Sequence, residues 1–350
     1  MADAQIGRAG LRGPGEARRQ RVSISQQDLV RVEPLLADQA IPMAIQPALP
    51  GLDLLPWASD NRGRIEELLL AHRALLFRGF DLDSVEDFDR FTHVTSSGEL
   101  LEYRDRSSPR HEVGEKIYTS TDYPADQWIF LHNEGTYWLT WPLKIYFACL
   151  VAAERGGETP IADCRKVLAR IDPAVRERFA RRDVMYVRNF NDGFGLTWQT
   201  VFQTGDRAVV EDYCRRNDIQ VEWKPGDRLR TRQVRQAIAT HPRTGEPVWF
   251  NHATFFHVST LEPSVRERLL GEFAEEDLPY NTYYGDGAPI EPEVLDALRA
   301  AYRAERIAFP WRPGDVLMLD NMTVAHGRAP YSGERKIVVG MADPWTPARD

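Results

Sequence analysis

The chain has 350 residues, 43% of them hydrophobic, which allows one large domain or two small ones with a substantial buried core. Its formal net charge of −8 at pH 7 argues against a protein that binds nucleic-acid phosphates. The longest apolar run, residues 145–153, is too short to span a membrane, and residues 1–24 lack the apolar segment of a secretory signal.

The first part of the chain predicts an arm followed by alternating helices and strands. Residues 1–24, rich in Gly, Arg and Ala, predict a disordered arm. Apolar residues at helical spacing predict a helix over residues 59–73, with Ser59 as its N-cap. A buried strand is expected over residues 74–80 and a capped helix over residues 84–94.

The rest of the chain is strand-rich at both ends of a long mixed stretch, residues 182–305. The predicted strands are 128–131, 143–151, 316–319, 324–327 and 336–341, and the predicted helices are 164–181, 263–275 and 291–306. Strands separated by such an insertion, with no βαβ rhythm and no Gly-rich phosphate loop, favour an antiparallel barrel or sandwich. A double-sheet jelly roll is one such solution.

Three residues form a candidate metal site. His132 and Glu134 are two apart in a strand-like segment, so they project to one face, and His326 directly follows a predicted strand. Two histidines and a carboxylate make the facial triad of non-haem Fe(II) oxygenases, which leaves three metal positions for a chelating 2-oxo acid and dioxygen. Zinc is the competing metal, although the chain has no HExxH helix. The five-residue spacing of His252 and His257 suits neither a strand face nor a helix face.

A 2-oxo acid with a second carboxylate also needs an anchor. A guanidinium can hold a carboxylate through two parallel hydrogen bonds. Arg335 opens the strand that follows His326, so a hairpin can return it beside the ligand, and Arg328 is its competitor. Thr159, after the Gly156-Gly157 pair, is a candidate hydroxyl donor to the same carboxylate.

Several motifs together resemble the taurine dioxygenase (TauD)/TfdA-like superfamily of Fe(II)/2-oxoglutarate-dependent dioxygenases. They are Leu76 to Phe80, His132-Asn133-Glu134, Gly156 to Thr159, Asp320 to Met322, His326 to Arg328, and Arg335. The resemblance implies a double-stranded β-helix (jelly roll), mostly β with flanking helices, in one domain over residues 25–350 with a helical and mixed insertion at about 182–305. It implies Fe(II) on His132, Glu134 and His326, 2-oxoglutarate on Arg335 and Thr159, and O2 as oxidant.

The chain is more closely similar to the SyrP-like and clavaminate-synthase-like branch, on Glu134 and on the runs at 103–110 and 118–126. This implies hydroxylation of an amino-acid-like substrate, free or tethered to a carrier protein, in a natural-product pathway, with release of succinate and CO2. Glu134 argues against halogenation, because related halogenases have a small residue there. Val339 departs from relatives with a substrate-binding arginine at that position, so substrate recognition does not transfer.

Alternatives remain at this point. The same cofactors can give desaturation or cyclisation, the same ligands can serve a zinc-dependent hydrolase, and a metal-free jelly-roll binding protein is a third reading. The cysteines, Cys149, Cys164 and Cys214, have no CxxC spacing and predict reduced thiols in a cytoplasmic enzyme. We expect a small-molecule or carrier-bound substrate and no nucleic-acid or membrane partner, and the sequence leaves a homo-oligomer open.

Overall fold

A computed structural model describes residues 29–101, 112–114, 116–119, 123–190 and 195–347, so the arm predicted over 1–24 lies outside the described residues. Its strands are β1 (Val30–Pro34), β2 (Met43–Pro47), β3 (Ala74–Phe77), β4 (Glu112–Gly114), β5 (Ile117–Thr119), β6 (Ile129–His132), β7 (Trp141–Val151), β8 (Arg155–Gly156), β9 (Ile161–Asp163), β10 (Val184–Phe190), β11 (Gln220–Lys224), β12 (Arg228–Arg235), β13 (Ile238–Thr240), β14 (Pro247–Trp249), β15 (Tyr280–Tyr284), β16 (Val316–Asp320), β17 (Val324–Arg328), β18 (Tyr331–Ser332) and β19 (Lys336–Trp345). Its α-helices are α1 (Leu54–Asp60), α2 (Arg62–His72), α3 (Val85–Thr95), α4 (Cys164–Arg170), α5 (Pro173–Arg182), α6 (Trp198–Phe202), α7 (Arg207–Arg216), α8 (Pro263–Glu272) and α9 (Pro292–Ala304).

The largest sheet has the strand order β1-β2-β3-β16-β7-β19-β5-β4. Successive residues of a strand face opposite sides, so Tyr146 and Met318 join the core cluster that contains α1–α3 residues, whereas Phe147 and Leu317 join the cluster on the other side. The central strands are therefore buried on both faces, which explains their continuous apolar sequence.

A three-stranded sheet, β6-β17-β9, carries the candidate metal ligands. Chain order alternates between this sheet and the largest one: β6 precedes β7, β9 follows it, β16 precedes β17, and β19 returns to the largest sheet. The pairs β6–β17, β9–β17, β7–β16 and β7–β19 are all antiparallel.

The long mixed stretch contains a four-stranded sheet, β11-β12-β10-β15, the β13–β14 hairpin and helices α6–α9. Trp249, Phe256 and Leu298 of this stretch share a core cluster with Leu317 and Ile337 of the largest sheet. The inserted residues thus pack directly onto the strands on either side of them. The described chain is a mixture of helices around a large sheet, so the expectation of a mostly β fold holds only in part.

Capping side chains and a proline decide where the helices begin, and they explain which helix predictions were right and which were wrong. The helix expected over 59–73 with Ser59 as its N-cap is divided between two helices. Ser59 lies inside α1, which starts where the Asp53 side chain accepts a hydrogen bond from the Leu55 amide (3.0 Å), and α2 begins after Asn61. The cap predicted at Ser84 is confirmed, since its hydroxyl accepts from the Asp87 amide (3.0 Å). The helix predicted over 164–181 is two helices, and α5 restarts with Pro173 in its first turn, where the missing N–H is not needed.

Candidate active site

Strand register brings the two candidate histidine ligands together. His132 and His326 are direct partners in the antiparallel β6–β17 pair, and their ring centroids are 4.6 Å apart. Glu134 follows two residues after His132. One possible ligand atom from each of the three side chains lies within 4.8 Å of the other two, and the residues are 7%, 2% and 4% exposed in chain order. Among the described residues, this is the group whose arrangement could hold a metal ion.

The glycine after His326 makes this close approach of strands feasible. A Cβ on Gly327 would lie 2.6 Å from the Ile129 carbonyl oxygen, closer than any real Cβ contact. The register of β17 against β6 also shifts between His326 and Arg328. The His-Gly-Arg sequence therefore places a candidate ligand, a close backbone contact and an arginine on one irregular strand.

The surroundings of His132 fix its ring. Its Nδ1 lies 2.8 Å from the Phe130 carbonyl oxygen, which can only accept, so Nδ1 carries the proton and Nε2 is the candidate ligand atom. The Phe255 ring stacks on the imidazole at 4.2 Å between centroids. Phe147 lies 4.9 Å from the His326 ring. Aromatic faces thus border both histidines and keep the surroundings of the ligands apolar.

Asn321 holds the backbone that carries Glu134. Its side-chain oxygen accepts from the Glu134 amide (2.8 Å), and its nitrogen donates to the Glu134 and Pro142 carbonyls (both 2.9 Å). Asn133 donates in return to the Asn321 carbonyl (2.7 Å). These buried amide hydrogen bonds connect the residue after β16 to the segment that carries Glu134. The sequence did not predict this connection.

Two further histidines support the same region without joining the metal group. His252 donates from Nε2 to the Asn133 carbonyl (2.6 Å), and burial, followed by the charge of His132, lowers the pKa of His252 to about 3. His241 accepts at Nδ1 from the Thr244 amide (3.1 Å) and donates from Nε2 to Asp320 (2.9 Å). Both are therefore neutral or paired structural histidines rather than metal ligands.

A narrow cavity beside the histidines brings together the residues expected around a 2-oxo acid. It is lined by His132, His326, Thr159, Arg328, Arg335 and Val339, among others. Thr159 is buried, and its oxygen accepts from the Trp311 indole nitrogen (3.1 Å), so its own proton remains to be donated. The sequence-predicted ligand and anchor residues thus border one space.

The two competing arginines differ in what their guanidinium groups contact. Arg328 donates to the carbonyls of Tyr123 (2.9 Å) and Gln127 (3.1 Å), so it binds backbone. Arg335 donates from Nε to the Gly157 carbonyl (2.9 Å), and a Cβ on Gly157 would lie 3.0 Å from Arg335 Cδ. Burial, followed by the charge of Arg328, lowers the pKa of Arg335 to about 10, which still leaves it charged at neutral pH.

A second, larger cavity of about 630 Å³ opens on the other side of the candidate ligands. His132 and Glu134 lie at its floor, and residues of α8, α9 and the 252–263 segment form much of its wall. This volume lies in the range of small-molecule sites.

No helix of the described residues is long and apolar enough to cross a membrane.

A model of the taurine catabolism dioxygenase TauD, TfdA family matches residues 32–341 of this chain. The chain belongs to this family. One relative is the dapdiamide synthesis protein DdaC of Enterobacter agglomerans, which is 41% identical over 82% of this chain and 87% of its own length. Another is a clavaminate synthase-like protein of Arabidopsis thaliana, which is 27% identical over 79% of this chain and 83% of its own length. The crystal structure of PvcB from Pseudomonas aeruginosa has the same fold (TM-score 0.55, 18% identity, 94% of each chain).

Membership of the TauD/TfdA family confirms the expected enzyme class, a 2-oxoglutarate-dependent non-haem iron dioxygenase that uses Fe(II), 2-oxoglutarate and O2. The run at 103–110 that contributed to the branch resemblance lies outside the described residues. Phe255 and Asn321 had no spacing signal of their own. Only the position of Asn321 inside the Asp-Asn-Met motif could have indicated its role.

Proposed function

We propose that this TauD/TfdA-family enzyme oxidises a C–H bond of an amino-acid-like substrate, most simply by hydroxylation, in a natural-product pathway. The observation that carries the proposal is the position of the His132, Glu134 and His326 group. It lies between a cavity lined by Arg335 and Thr159 and the cavity of about 630 Å³. We assign the co-substrate to the first space, whose volume of about 30 Å³ must widen when 2-oxoglutarate binds, and the substrate to the second.

In this proposal His132 Nε2, a Glu134 carboxylate oxygen and a His326 ring nitrogen bind Fe(II). The donor set fits the ion, because imidazole and carboxylate are the ligands of facial-triad iron sites and all three residues are buried. The Nδ1 proton of His132 and the amide bonds of Asn321 orient the ligands before metal binds.

We place 2-oxoglutarate in the narrow cavity, with its far carboxylate on Arg335 and Thr159. Arg335 can form a two-bond pair through its terminal nitrogens while Nε remains on Gly157, and Thr159 can donate its hydroxyl proton. When bound, iron and 2-oxoglutarate supply the oxidation, with one atom of O2 passing to succinate, CO2 leaving, and the other oxygen passing to the substrate. The protein residues position the reactants, and Phe147 and Phe255 exclude water from the histidines.

The alternation of strands between the largest sheet and β6-β17-β9 supports our assignment of the core to a double-stranded β-helix, or jelly roll. We propose that residues 25–350 form one domain in which about 182–305 is the insertion, since core cluster residues come from both parts. The three cysteines are buried and not disulfide-bonded, which fits our expectation of a cytoplasmic protein.

The similarity to a dapdiamide synthesis protein supports a natural-product pathway. The amino-acid-like substrate that we propose is either free or carrier-bound. A zinc-dependent hydrolase is disfavoured by the family. Glu134 fills the carboxylate position, so we expect no chlorinated product in excess chloride. Desaturation or cyclisation would use the same residues, and the product of the reaction distinguishes them from hydroxylation.

The test is a panel of free and carrier-bound amino acids incubated with Fe(II), 2-oxoglutarate and ascorbate in air. We expect one substrate to raise succinate release in step with oxygen consumption, and its product to gain 16 mass units, the mass of one oxygen atom. A product that loses two hydrogens instead would assign desaturation or cyclisation. Hydrolysis that depends on zinc and not on 2-oxoglutarate would overturn the proposal.

A further inference from the structure

One strand leads from the candidate metal site to the mouth of the large cavity. Trp128, Phe130 and His132 alternate along β6 and the residue before it, so they share one face, and all three line the cavity. At about 3.3 Å per residue, Phe130 lies roughly 7 Å and Trp128 roughly 13 Å from His132 along the strand. Trp128 is 48% exposed. This face of β6 therefore runs from the candidate iron ligand His132 to the solvent-exposed Trp128.

Arginines accompany these aromatic rings at the mouth. The Arg303 guanidinium carbon lies 6.0 Å from the Phe130 ring centroid, and that of Arg306 lies 5.3 Å from the Trp128 centroid. Arg266 of α8 lines the same cavity. We call Arg266, Arg303 and Arg306 the arginine rim. Stacking on an aromatic face holds a guanidinium plane in place while its edge can still donate hydrogen bonds.

The arginine rim is not neutralised by ion pairs. Within the described part of the chain, no salt bridge joins any of its three members to a carboxylate, although surface arginines elsewhere, such as Arg268, are paired. Two acidic residues, Glu262 and Asp296, also line the cavity, but Asp296 is bound to the buried Arg299 (2.9 Å). In a protein of net charge −8, three arginines that line the cavity of about 630 Å³ thus lie outside ion-pair distance of any described carboxylate, although Arg303 is close enough to Asp296 to interact with its charge.

We propose, resting on the function proposed above, that the arginine rim binds a phosphate group on the substrate. Three guanidinium groups suit the several acceptor oxygens of a phosphate, whereas one arginine suffices for a carboxylate. No lysine lines the cavity. Such a phosphate occurs both on a free phosphorylated substrate and on the phosphopantetheine arm of a carrier protein, and binding affinities for small probes distinguish the two.

The test is calorimetric titration of the Fe(II)- and 2-oxoglutarate-loaded enzyme without oxygen, using pantetheine, 4′-phosphopantetheine and O-phosphoserine as probes. We expect 4′-phosphopantetheine to bind at least ten-fold more tightly than pantetheine, with an affinity that falls as salt rises. Preference for it over O-phosphoserine assigns the phosphate to a carrier's prosthetic arm. Equal binding of the two assigns a free phosphorylated substrate.

Arg303→Ala and Arg306→Ala should each weaken 4′-phosphopantetheine binding roughly ten-fold and leave pantetheine unaffected. Arg268→Ala is the matched control, because Arg268 is exposed on α8 and paired with Glu272 (2.8 Å) outside the cavity. Equal affinity for pantetheine and 4′-phosphopantetheine, or an equal loss in Arg268→Ala, would overturn the inference. Failure of the proposed function is separate, since it would show as no 2-oxoglutarate-dependent succinate release from any substrate.

Discussion

The two sides of the candidate metal centre are built differently. On the proposed 2-oxoglutarate side, Thr159 lies just before β9, which pairs with β17, and Arg335 directly precedes β19 of the largest sheet and donates to the Gly157 carbonyl. On the substrate side, Phe255, α8 and α9 come from the long insertion and contact the centre through side chains. Strand pairing therefore positions the residues of the proposed cofactor side, whereas the proposed substrate side can change without altering that pairing.

The largest effect should follow loss of a ligand on the strand side. His326→Ala should abolish iron binding and lower turnover by well over 100-fold, because even residues behind a metal ligand contribute 10- to 100-fold. Iron content by mass spectrometry and oxygen consumption measure this. His93→Ala, on the exposed face of α3, is the control and should retain both. Full iron loading of His326→Ala would mean that the ligand set is misassigned.

The next largest effect should come from Arg335, the proposed anchor of 2-oxoglutarate. Arg335→Ala should raise the 2-oxoglutarate KM roughly 30- to several-thousand-fold, because it removes one partner of a buried charge pair, and Arg335→Lys should recover only part of this. Iron affinity measured without 2-oxoglutarate should be unchanged. Arg328→Ala should leave this KM near normal, since its guanidinium binds the Tyr123 and Gln127 carbonyls. The reverse pattern would exchange the roles of the two arginines.

A smaller effect is expected from the amide that supports the ligand segment. Asn321→Ala removes one acceptor and one donor group for the Glu134 backbone and should weaken iron binding about 10- to 100-fold. Titration with Fe(II) under argon measures the affinity. Asn217→Ala, whose amide donates to the Tyr213 carbonyl in the insertion, is the matched control. Similar losses in both variants would show that general destabilisation, not ligand positioning, is responsible.

A fall in pH should lower the free energy of unfolding through His257 of the insertion, not through cofactor binding. Burial, followed by the charges of Arg299 and Arg266, lowers the pKa of His257 to about 4 from an unfolded value near 6.5. Above pH 6.5 it is neutral in both states and contributes nothing. Between pH 6.5 and 4 the unfolded chain takes up the proton first, so the folded state loses about 2 kcal/mol by pH 5.

His257→Asn keeps a residue able to cap the following 3₁₀ turn, where His257 Nδ1 now accepts from the Ser259 amide (3.1 Å). Urea unfolding at pH 7 and pH 5 should therefore show a smaller drop for the variant than for the unmodified chain, by about 2 kcal/mol. Equal drops for the two proteins would show that His257 is not kept neutral by its surroundings.

The difference between the strand side and the insertion side explains which site residues could be predicted from the sequence. His132 and Glu134 follow from the period of a strand, and His326 and Arg335 follow from strand boundaries that the apolar runs mark. The structure places these side chains as the spacing and the family resemblance indicated. Their ligand and anchor roles stay predictions until iron and 2-oxoglutarate binding are measured.

The substrate side could not be predicted in this way. Phe255 meets His132 across more than one hundred residues of sequence, and Arg303 meets Phe130 through packing of α9, so neither contact has a local period. The cap at Asp53 was missed because a side-chain hydrogen bond two residues ahead, not apolar spacing, decides where α1 begins.

Arg328 joins these two sides through one side chain. It lies two residues after His326 on β17, and its guanidinium holds the carbonyls of the segment that ends at Trp128. Arg328 thus connects the strand that carries His326 to the segment that precedes Trp128 beside the arginine rim. Where iron and an occupant of the rim both act on this connection, thermodynamic reciprocity requires each to change the affinity for the other by the same factor. We expect the enzyme to release iron more slowly when it is saturated with substrate than when it is idle.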